Sequence, residues 1–393
     1  MKNSDNQIGG KSDSVINEME STYRICNRCV MDTSAPDITF DSNGNCNYCR
    51  EFIENCSEVI NEDDESKRNR RNTFIKKVKE EGKGKPYDCI VGVSGGVDSS
   101  WVLVKAVELG LRPLAVHMDN GWNSELAQNN IERLVKKLGV DLFTYVIDWN
   151  EFRDLQESFF NADVVDIELL TDNALVAINY QQARKYGIKY IISGSNTATE
   201  GVRMPSTWAS VNKRDKKNIL NIWKRCGRGY SLKSFPIYGT KDYIIDTLIR
   251  KIEWVRFLDF LDYKKSEALE ILSNEYEYVP YPYKHYESVF TRLYQGIILP
   301  QKFNVDKRRN HLSALILSGD MTRVEALKKL SEIPYPSEEA MEQDIQYFLK
   351  KFGWEKSDFE EYLNRPGIPH SKYGEEVELM NVLHKIYGFL RQS

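Results

Sequence analysis

The sequence contains no apolar run near the ~18 residues that a membrane span needs. Its opening, MKNSDNQIGGKSDS, lacks the apolar stretch of a signal peptide. Neither sign of charge dominates. With 54 Lys and Arg against 58 Asp and Glu the net is −4, so no global field recruits nucleic acid. Internal repeats and low-complexity tracts are also missing. What remains is an ordinary soluble composition, 41% hydrophobic over 393 residues, enough chain for about two or three domains. The expected location is the cytoplasm, with no membrane and no nucleic acid as partner. Seven cysteines in a chain without export signals point to metal binding or catalysis rather than disulfides.

Composition divides the chain. Residues 1–21 are polar and aperiodic and read as a flexible tail. Residues 22–56 form a small cysteine-rich unit, and 57–85 a highly charged helix and linker. From 86 to 240 short apolar strands, expected at 88–93, 113–118, 142–147 and 188–193, alternate with helical patterns at 99–109, 124–138 and 173–186. Gly110, Gly139 and Gly187 follow those helices as stop signals. Ile131, Leu134, Val135 and Leu138 recur at helical spacing and mark one buried face. Such alternation predicts an α/β fold, a parallel doubly wound sheet with both faces covered. Residues 241–393 read as mainly helical, serving substrate or partner binding, with an aromatic interruption, YEYVPYPYKHYE, at 276–287.

Cys26-x2-Cys29 and Cys46-x2-Cys49 are two knuckles sixteen residues apart. Each turns two sulfurs toward one point, so four thiolates can surround Zn2+ tetrahedrally. Asn43-Gly44 between them is a hairpin signal, and a zinc ribbon is expected. Full cysteine ligation leaves no open position, so this Zn2+ is structural. Cys89 reads as strand core; Cys56 and Cys226 stay unassigned.

The central motif is Ser94-Gly95-Gly96-Val97-Asp98-Ser99, placed between a β-branched strand and a helix start. Successive N–H groups over Gly95, Gly96, Val97 and Ser99 can form an anion-binding nest, aided by the helix dipole. Ser94 and Ser99 add hydroxyl donors. Asp98 suits a Mg2+ ligand or a helix cap. With no lysine present, this is not a Walker loop, and it suits a released pyrophosphate instead. The second strand ends in His117-Met118-Asp119 and the fourth in Ser193-Gly194-Ser195-Asn196, followed by Glu200. Strand carboxyl ends of open parallel sheets share one ligand crevice.

The hexamer resembles the PP-loop of the N-type ATP pyrophosphatases, as in GMP, NAD and asparagine synthetases. That resemblance implies ATP cleavage between the α and β phosphates and adenylation of a substrate oxygen. It also implies adenine contact at His117, largely through backbone. Gly194-Ser195-x4-Glu200 is similar to the second nucleotide motif of NAD synthetases, with Asn196 one place shifted. Asp98 and Glu200 are then the catalytic and Mg2+-binding candidates, although Glu200 also reads as a surface loop residue.

A closer resemblance is carried by RICNRCVMDTS at 24–34, FDSNGNCNYC at 40–49, SGGVDSS, HMDNGWNSELA, SGSNTATEG and KFNVDKRR at 302–309. Over roughly residues 22–330 these are similar to the N-acetyl sugar amidotransferases of the WbpG/PseA type. The resemblance implies conversion of an acetamido into an acetamidino group on a UDP-linked diacetamido uronic acid or a nonulosonic acid, for lipopolysaccharide O-antigen or flagellar sugars. It implies ATP, Mg2+ and a class I glutaminase subunit (HisH-like, with or without a HisF-like subunit) supplying ammonia. The chain carries neither glutaminase signature: Lys2 stands where a class II nucleophile would, and Cys226 lacks the first glycine of an elbow.

A substrate with a diphosphate and a carboxylate calls for cations. The candidates are Arg203, the strip at 213–233 containing Arg225, and a second cluster of Lys302, Lys307, Arg308, Arg309 and His311. The alternative for both clusters is a solvated basic face. Trp208, Trp223 and the tyrosines at 276–286 either stack a uracil or sugar or belong to core. Two rival functions stay open. A tRNA thiolase also joins a PP-loop to zinc ribbons, but needs reactive cysteines after the loop, where only Cys226 follows. A non-catalytic adenine-nucleotide-binding module is the other.

Overall fold

The computed structural model describes residues 23–209, 212–281 and 286–376; the tail read over 1–21 lies outside them. One sheet carries the architecture. Strands β1 Cys89–Gly92, β2 Pro113–Asp119, β3 Leu142–Val146, β4 Tyr190–Ser193 and β5 Glu253–Arg256 lie in the order β3-β2-β1-β4-β5. All neighbours are parallel, with Val91 opposite Ala115 and Ile192, and Ile192 opposite Val255.

Alternation along the strands explains the two covered faces. Ile90, Leu114, Val116 and Ile191 point into one core with Ala174, Ala177 and Ile178 of helix α6, Leu169–Tyr186. Cys89, Val91, Ala115 and Ile192 point into the other. There they meet Val102 and Leu103 of α3, Val97–Glu108, and Ile131, Leu134 and Val135 of α4, Glu125–Leu138. Burying both faces is what a continuous β-branched run requires. Gly139 and Gly187 close α4 and α6 in the left-handed region, at φ 63° and 65°.

Two parts depart from the sequence reading. The charged stretch carries the expected helix, α2, Asp64–Glu81, capped by Asp63, while α1, Asn47–Ile60, begins in the cysteine unit; α2 is not merely solvated, since it buries Ile75 and Val78 in the second core. The sheet's fifth strand comes from beyond residue 240, so the α/β core runs past the point where composition changes. A further helix, α5 Trp149–Asn161, buries Phe152, Leu155, Phe159 and Phe160.

After β4 the helices are α7 Thr197–Glu200, α8 Lys216–Cys226, α9 Thr240–Ile244, α10 Lys265–Tyr276, α11 Val289–Leu293, α12 Leu299–Phe303, α13 Arg308–Leu317, α14 Arg323–Ser331, α15 Glu338–Phe352 and α16 Lys356–Asn364. Phe290, Phe348, Phe352 and Tyr362 of this region join the first core around Phe160. Among the described residues, no helix is long and apolar enough to cross a membrane.

Candidate functional site

The strand order reverses between β1 and β4, and a ligand crevice belongs at the carboxyl ends on either side of that point. The loop after β1 lies there. Gly95 has φ +84°, and a Cβ on it would lie 2.9 Å from the Ala127 carbonyl oxygen, so backbone shape and close approach both require glycine. Inside the loop the Ser94 amide donates to Ser99 Oγ at 3.2 Å, and the Ser94 and Ser99 hydroxyls are themselves 3.2 Å apart. Gly96 is the N-cap of α3 and makes no side-chain cap. The first-turn amides thus lack a side-chain cap and face the region where an anion is favoured. Asp98 is the second residue of that helix, so the cap reading gives way and the carboxylate remains for a cation.

The loop after β4 closes the other side. A Cβ on Gly194 would sit 2.8 Å from both the Asp98 carbonyl carbon and the Ser99 amide nitrogen, so the two loops touch backbone to backbone. Ser195 follows half-buried, and buried Asn196 caps α7, its Oδ1 accepting from the Thr199 amide at 2.9 Å. Its Nδ2 has no hydrogen-bond partner: a buried donor beside an anion-binding loop fits a nucleotide's oxygens. Asp259 accepts from the Thr197 amide and hydroxyl at 2.7 and 2.8 Å and anchors this loop. Glu200 ends α7, exposed. Of the two Mg2+ candidates, Asp98 lies in the first turn of α3, at the loop after β1, and Glu200 at the end of α7.

His117 has an internal role. Its Nε2 accepts from Asn123 Nδ2 at 3.1 Å, so Nδ1 carries the proton and donates to the Val93 carbonyl at 2.9 Å. Burial lowers its pKa and keeps it neutral. The imidazole supports the loop, and any adenine contact here falls to the backbone.

Three residues that the sequence did not single out for the loop contact it. Tyr263 donates a hydrogen bond to the Asp98 carboxylate. Tyr278 and Tyr281 donate to the Gly95 carbonyl at 2.9 and 2.8 Å. The last two belong to the aromatic stretch read as stacking or core; their dense tyrosine content was the available signal.

The cysteine quartet converges as its spacing predicts. Cys26–Cys49, Cys29–Cys46 and Cys46–Cys49 sulfurs lie 3.6, 3.7 and 3.6 Å apart. All four sulfurs are within 4.8 Å of one another and buried. A tetrahedron of Zn–S bonds near 2.3 Å places sulfurs ~3.8 Å apart, so the set fits zinc. Hydrogen bonds from the other thiols hold Cys26 far below the ordinary thiol range, and the same contacts push Cys49 far above it. Four sulfurs this close can all be thiolates only around a cation.

The basic candidates for substrate have partners within the fold. Arg203 bonds Glu51 at 2.7 Å and Asp37 at 3.0 Å, tying the segment after α7 to α1 and to the cysteine unit. Arg309 bonds Asp32 at 2.9 Å and the Val30 carbonyl at 2.9 Å. Arg308 is held by Asp306 and the carbonyls of Lys329 and Glu332. The Lys302 side chain has 0% exposure, with Asp163 at 3.0 Å and the carbonyls of Tyr362 and Arg365 at 2.6 and 2.7 Å. Exposed Arg225 reaches the Lys372 carbonyl and the Tyr373 ring, and His311 Nδ1 lies 3.2 Å from the Thr199 carbonyl. These side chains hold segments together. Trp208 is fully buried core, and half-buried Trp223 packs against that core and donates to Asp154.

Two lysines the clusters contained do meet. Lys213 pairs with Asp166 at 2.6 Å and Asp172 at 3.0 Å, and Lys307 pairs with Glu168 at 3.5 Å. This polar group adjoins Thr171, which accepts from Asn120 just beyond β2. It therefore lies at the carboxyl-end side of the sheet. Cys89 is strand core, Cys56 is buried near the Gly201 carbonyl, and Cys226 lies beside Tyr373.

Strand order, parallel register and the glycine loop at the switch point define an α/β fold of the PP-loop ATPase kind. Residues 287–387 match the family profile described as LPS biosynthesis protein WbpG-like, C-terminal domain. That match is confined to residues 287–387 and extends past the 22–330 that the motifs cover. No curated protein matches the chain. Solved structures similar to it include an NH3-dependent NAD synthetase from Campylobacter jejuni, at 18% identity, 55% of this chain, 94% of that chain and TM-score 0.28. An NMN synthetase from Francisella tularensis has 14% identity, 55% and 98% coverage and TM-score 0.28. A predicted subunit of a tRNA methyltransferase from Methanocaldococcus jannaschii has 14% identity, 47% and 73% coverage and TM-score 0.28. The fold assignment rests on the sheet and the loop, not on these likenesses.

Proposed function

We propose that this protein is an ATP-dependent, AMP-forming amidotransferase acting on the N-acetyl group of a UDP-linked diacetamido sugar, in lipopolysaccharide or flagellar sugar synthesis. The observation that carries the reading is the uncapped first turn of α3, walled by Gly95 and Gly194 at the sheet's switch point, in a chain with a WbpG-like C-terminal domain. The loop amides bind the departing pyrophosphate and stabilise its growing charge. Asp98 and Glu200 would hold Mg2+, which neutralises phosphate charge when bound.

The acetamido oxygen attacks the α-phosphorus, and pyrophosphate leaves. Ammonia then adds to the imidate carbon, and AMP departs with the original oxygen, leaving an amidine. Positioning and electrostatics supply most of the acceleration, so no acid–base dyad is required. A separate class I glutaminase subunit supplies the ammonia; Cys226 ends helix α8, which is no strand-to-helix elbow.

The test incubates the protein with ATP, Mg2+, an ammonium salt and a panel of UDP-diacetamido sugars. Pyrophosphate, AMP and a product about one mass unit lighter, O replaced by NH, are expected. Release of ADP and inorganic phosphate instead would overturn the assignment.

A further inference from the structure

We infer that Tyr263, Tyr278 and Tyr281 are positioning residues for the nucleotide loop: Tyr263 aims the Asp98 carboxylate, and Tyr278 with Tyr281 aim the Gly95–Gly96 peptide. The inference rests on the reading of that loop as an ATP site and adds residues that no nucleotide motif contains.

Asp98 has two carboxylate oxygens, and the Tyr263 hydroxyl bonds Oδ1. The bond fixes the carboxylate plane and leaves Oδ2 for a cation. Carboxylates that ligate metals are ordinarily held by such an outer hydrogen bond.

The second pair acts on backbone. A carbonyl oxygen has two lone pairs, and Tyr278 and Tyr281 occupy both at Gly95, at 2.9 and 2.8 Å. The peptide unit is planar and trans, so fixing the Gly95 C=O fixes the Gly96 N–H in the opposite direction. That N–H donates to the Ser94 hydroxyl at 3.4 Å within the loop, so the two tyrosines orient both the amide and the hydroxyl of the loop read as anion-binding. The tyrosines are themselves held from α4: Asn130 Nδ2 donates to the Val279 carbonyl, and the Val279 amide donates to Asn130 Oδ1, each at 2.9 Å. Phenylalanine would keep the packing of any of the three and remove only the O–H.

The two actions separate in equilibrium binding of Mn2+, followed by electron paramagnetic resonance, and of α,β-methylene-ATP. Tyr263→Phe should raise the Mn2+ Kd ~10–100-fold at saturating analogue, with analogue affinity at saturating metal unchanged. Tyr278→Phe combined with Tyr281→Phe should weaken the analogue and free pyrophosphate about tenfold, without rescue by added metal. In turnover, excess Mg2+ should restore the first variant and not the second. Wild-type affinities in the variants, or equal loss of both ligands in each, overturn the inference while the ATP site stands. A wild-type protein that binds neither analogue nor pyrophosphate refutes the site itself and this inference with it.

Discussion

At the scale of single residues the loop is legible because its chemistry is local. Asp98→Asn keeps the size of the side chain and removes its charge. It should abolish pyrophosphate release while the melting temperature stays near wild type, and full turnover would remove Asp98 from the metal role. Gly95→Ala faces φ +84° and a carbonyl oxygen 2.9 Å from the new Cβ. It should lose at least ~1–2 kcal/mol in denaturant melts together with analogue binding.

His370 is read only in the fold. Its Nε2 accepts from the Asp166 amide at 3.1 Å and its Nδ1 donates to Asn218 Oδ1 at 2.7 Å. Burial lowers its pKa from 6.5 to about 4. The unfolded chain therefore binds this proton first as pH falls. His370 contributes full stability above pH 6.5 and loses about 3 kcal/mol as pH drops from 6.5 toward 4. Thermal melts across that window should steepen, and His370→Gln should flatten them; an unchanged slope counts against a neutral buried imidazole.

At the scale of elements, α13 links the cysteine quartet to the segment at and after α7. Arg309 grips Asp32 and Val30, while Asn310 Nδ2 donates to the Val202 and Arg203 carbonyls and His311 touches Thr199. Arg323 donates to the carbonyls of Cys26 and Cys29. Cys46→Ser should therefore lose bound zinc, soluble yield and nucleotide affinity together. Zinc content and analogue binding measured on the same preparation check it; unchanged zinc stoichiometry would refute the ribbon. Arg309→Met removes the ion pair of buried Asp32, which keeps its hydrogen bonds from Tyr23 and Ser34, and should cost about 1.5–3 kcal/mol in denaturant melts.

Elements with strong periodicity were legible from sequence, and short ones were not. The strand expected at 113–118 is β2 within one residue, because a buried parallel strand reads as an unbroken apolar run. β5 offers only Glu253, Trp254, Val255 and Arg256; it becomes a strand because β4 presents an open edge. Helix α5 had a readable signal in Asp148, whose side chain accepts from the Asn150 and Glu151 amides, ahead of apolar residues at helical spacing.

At the scale of the whole molecule, the C-terminal helices are continuous with the first core and also grip the ribbon. On the proposed function, ammonia comes from a second polypeptide. The purified chain should turn over with ammonium salts and ignore glutamine until a class I glutaminase is added, as read by AMP formation. Glutamine-dependent turnover by the chain alone would overturn the partner.

The sequence alone determined the sheet's alternation, the glycine loop and the metal knuckles, since each depends on residue types within a few positions of one another. Only tertiary structure decided which charges are available. Arg203, Lys302, Arg308 and Arg309 look alike as free cations in a linear reading, yet carboxylates and carbonyls take them, and apart from Asp306 beside Arg308 these lie tens to hundreds of residues away. The same holds for Tyr263, Tyr278 and Tyr281, whose hydroxyls reach the loop only because β5 and α10 bring them across the sheet. A cation or a phenol is defined by its partner, and partners distant in sequence are chosen by packing.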